Sequence, residues 1–287
     1  MRQRLGQHFL KNKSAIGKII AALELETGDK VVEIGPGTGA LTLPLLEKIE
    51  EIRGKLIAIE KDGGLIPELS QAVDNLLKAG DKPATNDGPL ATSKEKNSIF
   101  EIMAGDALKI LPSLRGLAKQ SLEIAASQDL PAGRQAPRND EDNNWKLVGN
   151  IPYYITGHLF RVIGELEEKP KITVLMIQKE VAERVTASPP KMNLLAAATQ
   201  IWADISIIAT LKPADFEPEP EVESAIIKVV LRQAQELNTL SPERSRGDTL
   251  DNYYKFIKIA FKQPRKTLLN NIQESTKTQK HENNQKS

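Results

Sequence analysis

The chain has 287 residues, a formal net charge of +1 and a hydrophobic content of 40%. This length exceeds one average domain and favours an α/β domain of about 200 residues with a smaller appendage. The sequence contains no cysteine, which excludes disulfides, thiolate catalysis and cysteine-ligated zinc. Its three histidines lie far apart and lack metal-ligand spacing, so we expect no metal chemistry.

Neither a membrane span nor a secretory signal is visible in the sequence. No stretch approaches the roughly 20 consecutive apolar residues that a membrane-spanning helix needs. The N-terminus also lacks the apolar run of a signal peptide. We therefore expect a cytoplasmic protein.

Positive charge is concentrated at the two ends of the chain. Residues 1–18 carry five Lys or Arg and no acid, and residues 253–287 carry eight Lys or Arg against two acids. The body between these ends has an excess of acids. Such a distribution suits a polyanionic partner, although basic tails that only increase solubility are the alternative.

Short β-branched segments alternate with helix-like segments along the chain. Alternation of this kind predicts a parallel-rich sheet with helices on both faces. The predicted strands are Lys30–Ile34, Lys55–Glu60, Ile99–Met103, Lys146–Gly149, Ile172–Gln178, Ile205–Thr210 and Ala225–Leu231. The predicted fold class is therefore α/β, with a Rossmann-like seven-stranded sheet and a small, shortened helical C-terminal domain.

We place the boundary between the two predicted domains at residue 232. The first domain, 1–232, contains polar insertions at about 80–97 and 118–144 that lack the apolar content to pack. The second, 233–287, begins with a polar linker and continues into Asn252–Ile272, where apolar residues have helical spacing. We expect the polar tail after this segment to be disordered.

A glycine-rich loop follows the first predicted strand. Gly35, Gly37 and Gly39 precede a helical segment, and glycine permits a tight turn and close backbone approach to a ligand. Glu60 ends the next strand, where a carboxylate can bind a ribose hydroxyl. The spacing Gly35-x-Gly37-x-x-Ala40 also satisfies the dinucleotide fingerprint. The loop alone therefore does not separate a dinucleotide from S-adenosylmethionine.

The segment Asn150-Ile151-Pro152-Tyr153 is the most informative one. An adenine amino nitrogen is a poor nucleophile because its lone pair is delocalised, so an enzyme must hold the amine and grip the ring. The Asn150 side-chain oxygen and the Ile151 carbonyl can accept the two amine hydrogens, and Tyr153 offers a stacking face. Together with the glycine loop, this segment favours methyl transfer from S-adenosylmethionine to an exocyclic amine of a base.

Two further positions complete the predicted site. Asp106 follows the third predicted strand, where its carboxylate can meet the cofactor's adenine amine, cap the next helix, or do both. Phe216 lies in a proline-stiffened loop. It is a candidate second stacking face opposite Tyr153, and packing beneath the loop is the alternative.

In this order, the segments resemble the KsgA-type ribosomal RNA small-subunit adenine dimethyltransferases, whose relatives act on large-subunit rRNA and confer macrolide resistance. The resemblance spans about residues 5–272 and rests on Gly6–Leu10, Glu33–Thr42, Gly105–Leu108, Gly149–Tyr153, Gln178–Arg184, Phe216–Ser224 and Pro264–Leu268. The chain departs from the family pattern in four places. His8 and Tyr154 stand where Asn is common, Met192-Asn193 replaces Tyr-Gly, and the second domain ends early.

The resemblance implies S-adenosylmethionine as the cofactor. With the glycine loop included, the expected cofactor contacts are His8, Leu10, Gly35, Gly37, Glu60, Asp106 and Asn150. Asn150 is also expected to face the substrate amine, between Tyr153 and Phe216, which sandwich the target adenine. We further expect Lys262, Arg265 and Lys266 in the second domain to bind RNA.

The expected protein is a monomeric enzyme that dimethylates the N6 amines of two adjacent adenines in a hairpin loop near the 3′ end of 16S rRNA, during ribosome biogenesis. Two alternatives remain open. One is a large-subunit rRNA methyltransferase of the macrolide-resistance type, which Gln178–Arg184 and Pro264–Leu268 disfavour. The other is a catalytically idle ribosome-assembly factor, which the intact Asn150 and Tyr153 disfavour.

Overall fold

The computed structural model describes residues 8–79, 99–114 and 145–232, with residues 253, 255–257 and 261 near the C-terminus; of Tyr153 it describes only the backbone. Both predicted polar insertions lie outside the described residues. Spatial proximity divides the chain into two compact units, residues 1–182 with 205–231, and residues 183–204 with 232–287. Within the described part, no helix combines the length and apolarity needed to cross a membrane.

The secondary structure of the described residues consists of short strands and helices in alternation. The strands are β1 (Phe9–Leu10), β2 (Lys30–Ile34), β3 (Lys55–Glu60), β4 (Phe100–Ala104), β5 (Trp145–Asn150), β6 (Ile172–Gln178), β7 (Ala203–Leu211), β8 (Phe216–Glu217) and β9 (Ser224–Leu231). The helices are α1 (Lys13–Ala22), α2 (Thr42–Glu51), α3 (Ile66–Ala79), α4 (Ala107–Ile110), α5 (Thr156–Glu165), α6 (Lys179–Val185) and α7 (Leu194–Gln200). Short 3-10 turns cover Leu111–Ser113, Tyr153–Ile155 and Pro213–Asp215.

Seven of the strands form one mixed sheet in the order β4-β3-β2-β5-β6-β9-β7. β2 pairs in parallel with β3 on one side and with β5 on the other, while β9 runs antiparallel to β6. These strands are the seven predicted segments, with ends displaced by at most two residues. The prediction of an α/β fold with a parallel-rich, seven-stranded sheet is confirmed.

The central strands are buried because helices cover both faces of the sheet. Every residue of β2 is buried, and Val31 and Val32 are fully inaccessible. This explains why the strand lacks the alternation of apolar and polar residues that a half-exposed strand would show. From α2, Leu45 and Leu46 pack into the same core as Val31, and Ile19 of α1 joins them.

The second compact unit contains α7 and the few described residues near the C-terminus. Asn193 caps α7, since its side-chain oxygen accepts a hydrogen bond from the Ala196 amide at 3.1 Å. The Tyr253 hydroxyl donates to the Ala197 carbonyl at 3.2 Å. Asn193 is one of the departures from the family pattern, and its capping bond gives this departure a structural role. A domain boundary at residue 232 stays a prediction.

A buried ion pair joins β2 to β5 at their amino ends. Lys146 Nζ lies 2.6 Å from Asp29 Oδ2, and the two side chains are only 1% and 0% exposed. Lys146 also donates to the Glu24 carbonyl, and Asp29 Oδ2 accepts from the Glu26 amide at 2.7 Å. Hydrogen bonds of this kind offset part of the cost of removing two charges from water.

Breaking this pair should destabilise the fold. The change Lys146→Met leaves Asp29 buried without its counterion, and we expect the free energy of unfolding to fall by about 3–5 kcal/mol in a denaturant titration. Lys48→Met is the matched control, because Lys48 forms an exposed pair with Glu51. That control should cost less than about 1 kcal/mol. Equal losses in the two variants would contradict the assigned role of the buried pair.

Candidate active site

A cavity of about 440 Å³ lies at the carboxyl ends of β2, β3 and β5, within the first compact unit. The chain runs from β2 to β3 and β4 on one side and then returns to place β5 on the other side of β2. Open α/β sheets bind ligands at such a reversal of strand order. The predicted site residues that line the cavity are His8, Leu10, Gly35, Gly37, Glu60, Asp106, Asn150 and Phe216. The structure does not describe the side chain of Tyr153 or residues Lys262, Arg265 and Lys266.

The glycine loop curves around one wall of this cavity. Gly35 and Gly37 adopt φ values of +67° and +58°, a region that side chains disfavour. A Cβ atom on Gly37 would also lie only 2.9 Å from Phe9 Cε1. Glycine is therefore required at position 37 both by the backbone and by the neighbouring ring.

Glu60 is held at the end of β3 by two backbone amides. Its Oε2 accepts from the Gly37 amide at 3.1 Å and its Oε1 accepts from the Asp62 amide at 2.7 Å. The residue is only 4% exposed. Because each carboxylate oxygen can accept more than one hydrogen bond, Glu60 retains capacity for hydroxyl donors of a ligand.

Asp106 both caps α4 and forms an ion pair at the edge of the cavity. Its Oδ1 accepts from the Leu108 amide at 3.0 Å, which confirms the predicted helix cap. Its Oδ2 lies 3.1 Å from Lys61 Nζ. The hydrogen bond from Lys61 is the main cause that lowers the pKa of Asp106, so this carboxylate is an ionised acceptor at neutral pH.

Asn150 at the end of β5 has a fixed orientation. Its Nδ2 donates to the His8 carbonyl at 2.8 Å, so the side-chain oxygen is left as the available acceptor. The next residue, Ile151, is anchored by its amide, which donates to the Met176 carbonyl of β6 at 3.0 Å. The amide side chain is thus positioned before any substrate arrives.

The N-terminal segment reaches the cavity through contacts with residues about 200 positions later. Asn12 Nδ2 donates to Asp215 Oδ1 at 2.7 Å, and the Lys11 amide donates to the Asp215 carbonyl at 2.9 Å. β1 then pairs with β8, with Leu10 opposite Phe216. These contacts carry the N-terminal residues to the carboxyl edge of the main sheet.

Phe216 is only 2% exposed and belongs to the apolar core, although it also lines the cavity. Its burial agrees with the alternative of packing beneath the loop. To stack on an adenine, the ring would have to present a face that is covered in this structure. A stacking role for Phe216 stays a prediction, as does the same role for Tyr153.

Other lining residues were not predicted as site residues. Phe9 presses its ring against the glycine loop, Lys61 pairs with Asp106, and Tyr154 is 77% exposed beside the cavity. Each is adjacent in sequence to a predicted residue. Phe9 also lies within the resemblance segment Gly6–Leu10, and Tyr154 stands where the family commonly has Asn. Among the described residues, no group of three His, Asp or Glu is placed to hold a metal ion.

Glu33 is the least expected member of the cavity wall. It is 1% exposed, and no described residue forms a hydrogen bond with its Oε2. Burial raises the pKa of Glu33 to about 8. The neighbouring Thr42 hydroxyl offsets part of this rise, and the negative charge of Glu60 adds to it. The carboxyl group is therefore mostly protonated at neutral pH.

This burial predicts a specific dependence of stability on pH. The folded protein binds a proton at Glu33 more tightly than the unfolded chain, whose ordinary pKa is 4.5. The free energy of unfolding should therefore fall as pH rises from about 4.5 to about 8, and level off above that. In urea titrations, the free energy of unfolding of Glu33→Gln should fall less steeply with pH than that of the wild type, by up to about 1.4 kcal/mol per pH unit.

Glu47→Gln, on the exposed side of α2, is the matched control and should follow the wild-type curve. Parallel curves for wild type and Glu33→Gln over this pH range would show that Glu33 does not titrate with a raised pKa.

Comparison with known proteins places the chain in a family. The family model described as ribosomal RNA adenine dimethylase matches residues 1–287. Ribosomal RNA small subunit methyltransferase A of Dehalococcoides mccartyi strain CBDB1 is 32% identical over 269 residues, 94% of this chain and 73% of that protein. The protein of the same name from Natranaerobius thermophilus is 31% identical over 273 residues, covering 94% of this chain and 78% of its own length.

Solved structures agree with this placement. A dimethyladenosine transferase from Plasmodium falciparum superposes with a TM-score of 0.61 at 27% identity, covering 91% of this chain and 73% of that one. The 23S rRNA methyltransferase ErmE has the same TM-score of 0.61 at 20% identity, with 93% and 84% covered, and shows the fold alone. The chain is a member of the ribosomal RNA adenine dimethylase family.

Proposed function

We propose that the chain uses S-adenosylmethionine to dimethylate the N6 amines of two adjacent adenines in a hairpin loop near the 3′ end of 16S rRNA. It acts as a monomer in the cytoplasm, during ribosome biogenesis. The names of the 31–32% identical relatives support a small-subunit substrate. The orientation of Asn150, whose oxygen faces no competing protein donor in the described residues, is the structural observation that carries the chemistry.

The residues present fit the proposed cofactor. Glu60 offers acceptor capacity for ribose hydroxyls, and Asp106 offers an ionised acceptor for an adenine amine. Gly37 has no side chain of its own, which lets the backbone of the loop approach a ligand closely. When bound, S-adenosylmethionine supplies a methyl group activated by a positively charged sulfur atom.

The role of the protein in the reaction is to position the substrate amine. Asn150 Oδ1 and the Ile151 carbonyl accept the two amine hydrogens and hold the nitrogen lone pair in line for direct displacement. The hydrogen bond from Asn150 to the His8 carbonyl fixes this geometry in advance. No covalent enzyme intermediate and no metal ion is needed, and the displaced proton leaves to water after the methyl group has transferred.

The two alternatives receive less support. The large-subunit methyltransferase ErmE is 20% identical to this chain, and that similarity supports a shared fold only. An idle assembly factor would not need Glu60, Asp106 and Asn150 to be held as acceptors around one cavity.

Replacing Asn150 with Ala tests the proposed chemistry. Removal of one preorganised polar group of this kind should lower turnover by about 10²–10³. Turnover is measured as labelled methyl groups incorporated into undermethylated small ribosomal subunits. Asn193→Ala is the matched control, because Asn193 does not line the cavity. Asn150→Ala turnover within about threefold of wild type would contradict the assignment of Asn150.

The basic cluster Lys262, Arg265 and Lys266 is the proposed RNA-binding surface of the second domain. Changing all three to Gln should weaken RNA binding and reduce the slope of log affinity against log salt by about 0.7–0.9 for each phosphate that is no longer neutralised. Cofactor affinity should stay unchanged. Changing Lys277, Lys280 and Lys286 to Gln removes the same charge from the polar tail and should have a smaller effect. A salt slope that the first triple variant leaves unchanged would contradict this proposal.

A further inference from the structure

Glu33 has no role in the reaction described above, although it stands in the wall of the same cavity. It is 1% exposed at the carboxyl end of β2, and its Oε2 has no hydrogen-bond partner in the described residues. The hydroxyl of Thr42, at the start of α2, is buried beside it, and its interaction with the carboxylate offsets part of the cost of burying that charge. A carboxyl group in these surroundings is stable only while it is neutral, in agreement with its raised pKa.

Most of the described charged groups around Glu33 are acidic. Glu60, on the neighbouring strand β3, is the charged group that acts on Glu33 directly. The remaining ionisable residues that line the cavity are His8, Lys61, Asp62, Asp106 and Tyr154. Lys61 is already paired with Asp106, so acidic groups dominate the interior. A ligand with a positive charge would therefore gain from ionisation of Glu33, because opposite charges a few ångströms apart favour the ionised form.

We propose that Glu33 loses its proton when the positively charged cofactor binds, and then acts as a counterion that favours S-adenosylmethionine over its product. The proton passes to the solvent, and the carboxylate remains in the wall of the cavity that would hold the cation. The product, S-adenosylhomocysteine, lacks the sulfonium charge and so gains less from the carboxylate. Methyl transfer thereby weakens the hold on the spent cofactor. This inference rests on the proposed use of S-adenosylmethionine.

Proton release can be measured by isothermal titration calorimetry in buffers of different ionisation enthalpy. At pH 7, S-adenosylmethionine should release most of one proton, because Glu33 with a pKa of about 8 is mostly protonated there. Release should approach zero about two pH units above that value. Between pH 6 and 8 the affinity should rise by up to about tenfold per pH unit. S-adenosylhomocysteine should release clearly less and show a weaker rise.

Glu33→Gln should bind S-adenosylmethionine without proton release and with an affinity that no longer depends on pH in this range. Glu47→Gln is the matched control, because Glu47 lies on the exposed side of α2 and does not line the cavity. That variant should release protons as the wild type does. Release that persists in Glu33→Gln, or equal release for the two ligands with wild-type protein, would overturn the inference. Wild-type protein that binds S-adenosylmethionine at no pH would instead contradict the proposed function.

Discussion

Parallel pairing of β2 with both β3 and β5 is the constraint on which the site depends. It places the carboxyl ends of three strands at one edge of the sheet, so that residues from distant parts of the sequence meet there. The buried pair of Asp29 and Lys146 joins β2 to β5 at the opposite edge. One edge of these strands therefore contributes stability, and the other carries the polar groups that line the cavity.

The sheet and much of the cavity could be predicted from the sequence because their signals are local. A buried parallel strand is a short apolar run, and the residue that follows it marks the carboxyl edge. Glu60 and Asp106 were found by this logic and Asn150 by the acceptor chemistry of its segment, and all three line the cavity. The helix cap of Asp106 is equally local, since it involves an amide two residues away.

Contacts between distant segments could not be predicted in this way. The bond from Asn150 to the His8 carbonyl and the pairing of Leu10 with Phe216 join parts of the chain that are far apart in sequence. Burial is also a property of the assembled fold. Phe216 has the residue type of a stacking platform but lies in the core, and Glu33 has the residue type of a surface charge but lies in the cavity wall.

We propose that this protein holds an adenine amine in its cavity and methylates adenines of small-subunit rRNA. Mass-spectrometric mapping of methylated nucleotides tests it most directly, after incubation of the protein and S-adenosylmethionine with undermethylated small ribosomal subunits. We expect two methyl groups on the N6 amine of each of two adjacent adenines in a hairpin loop near the 3′ end of 16S rRNA. Methylation confined to large-subunit rRNA, or no transfer to either subunit, would contradict it.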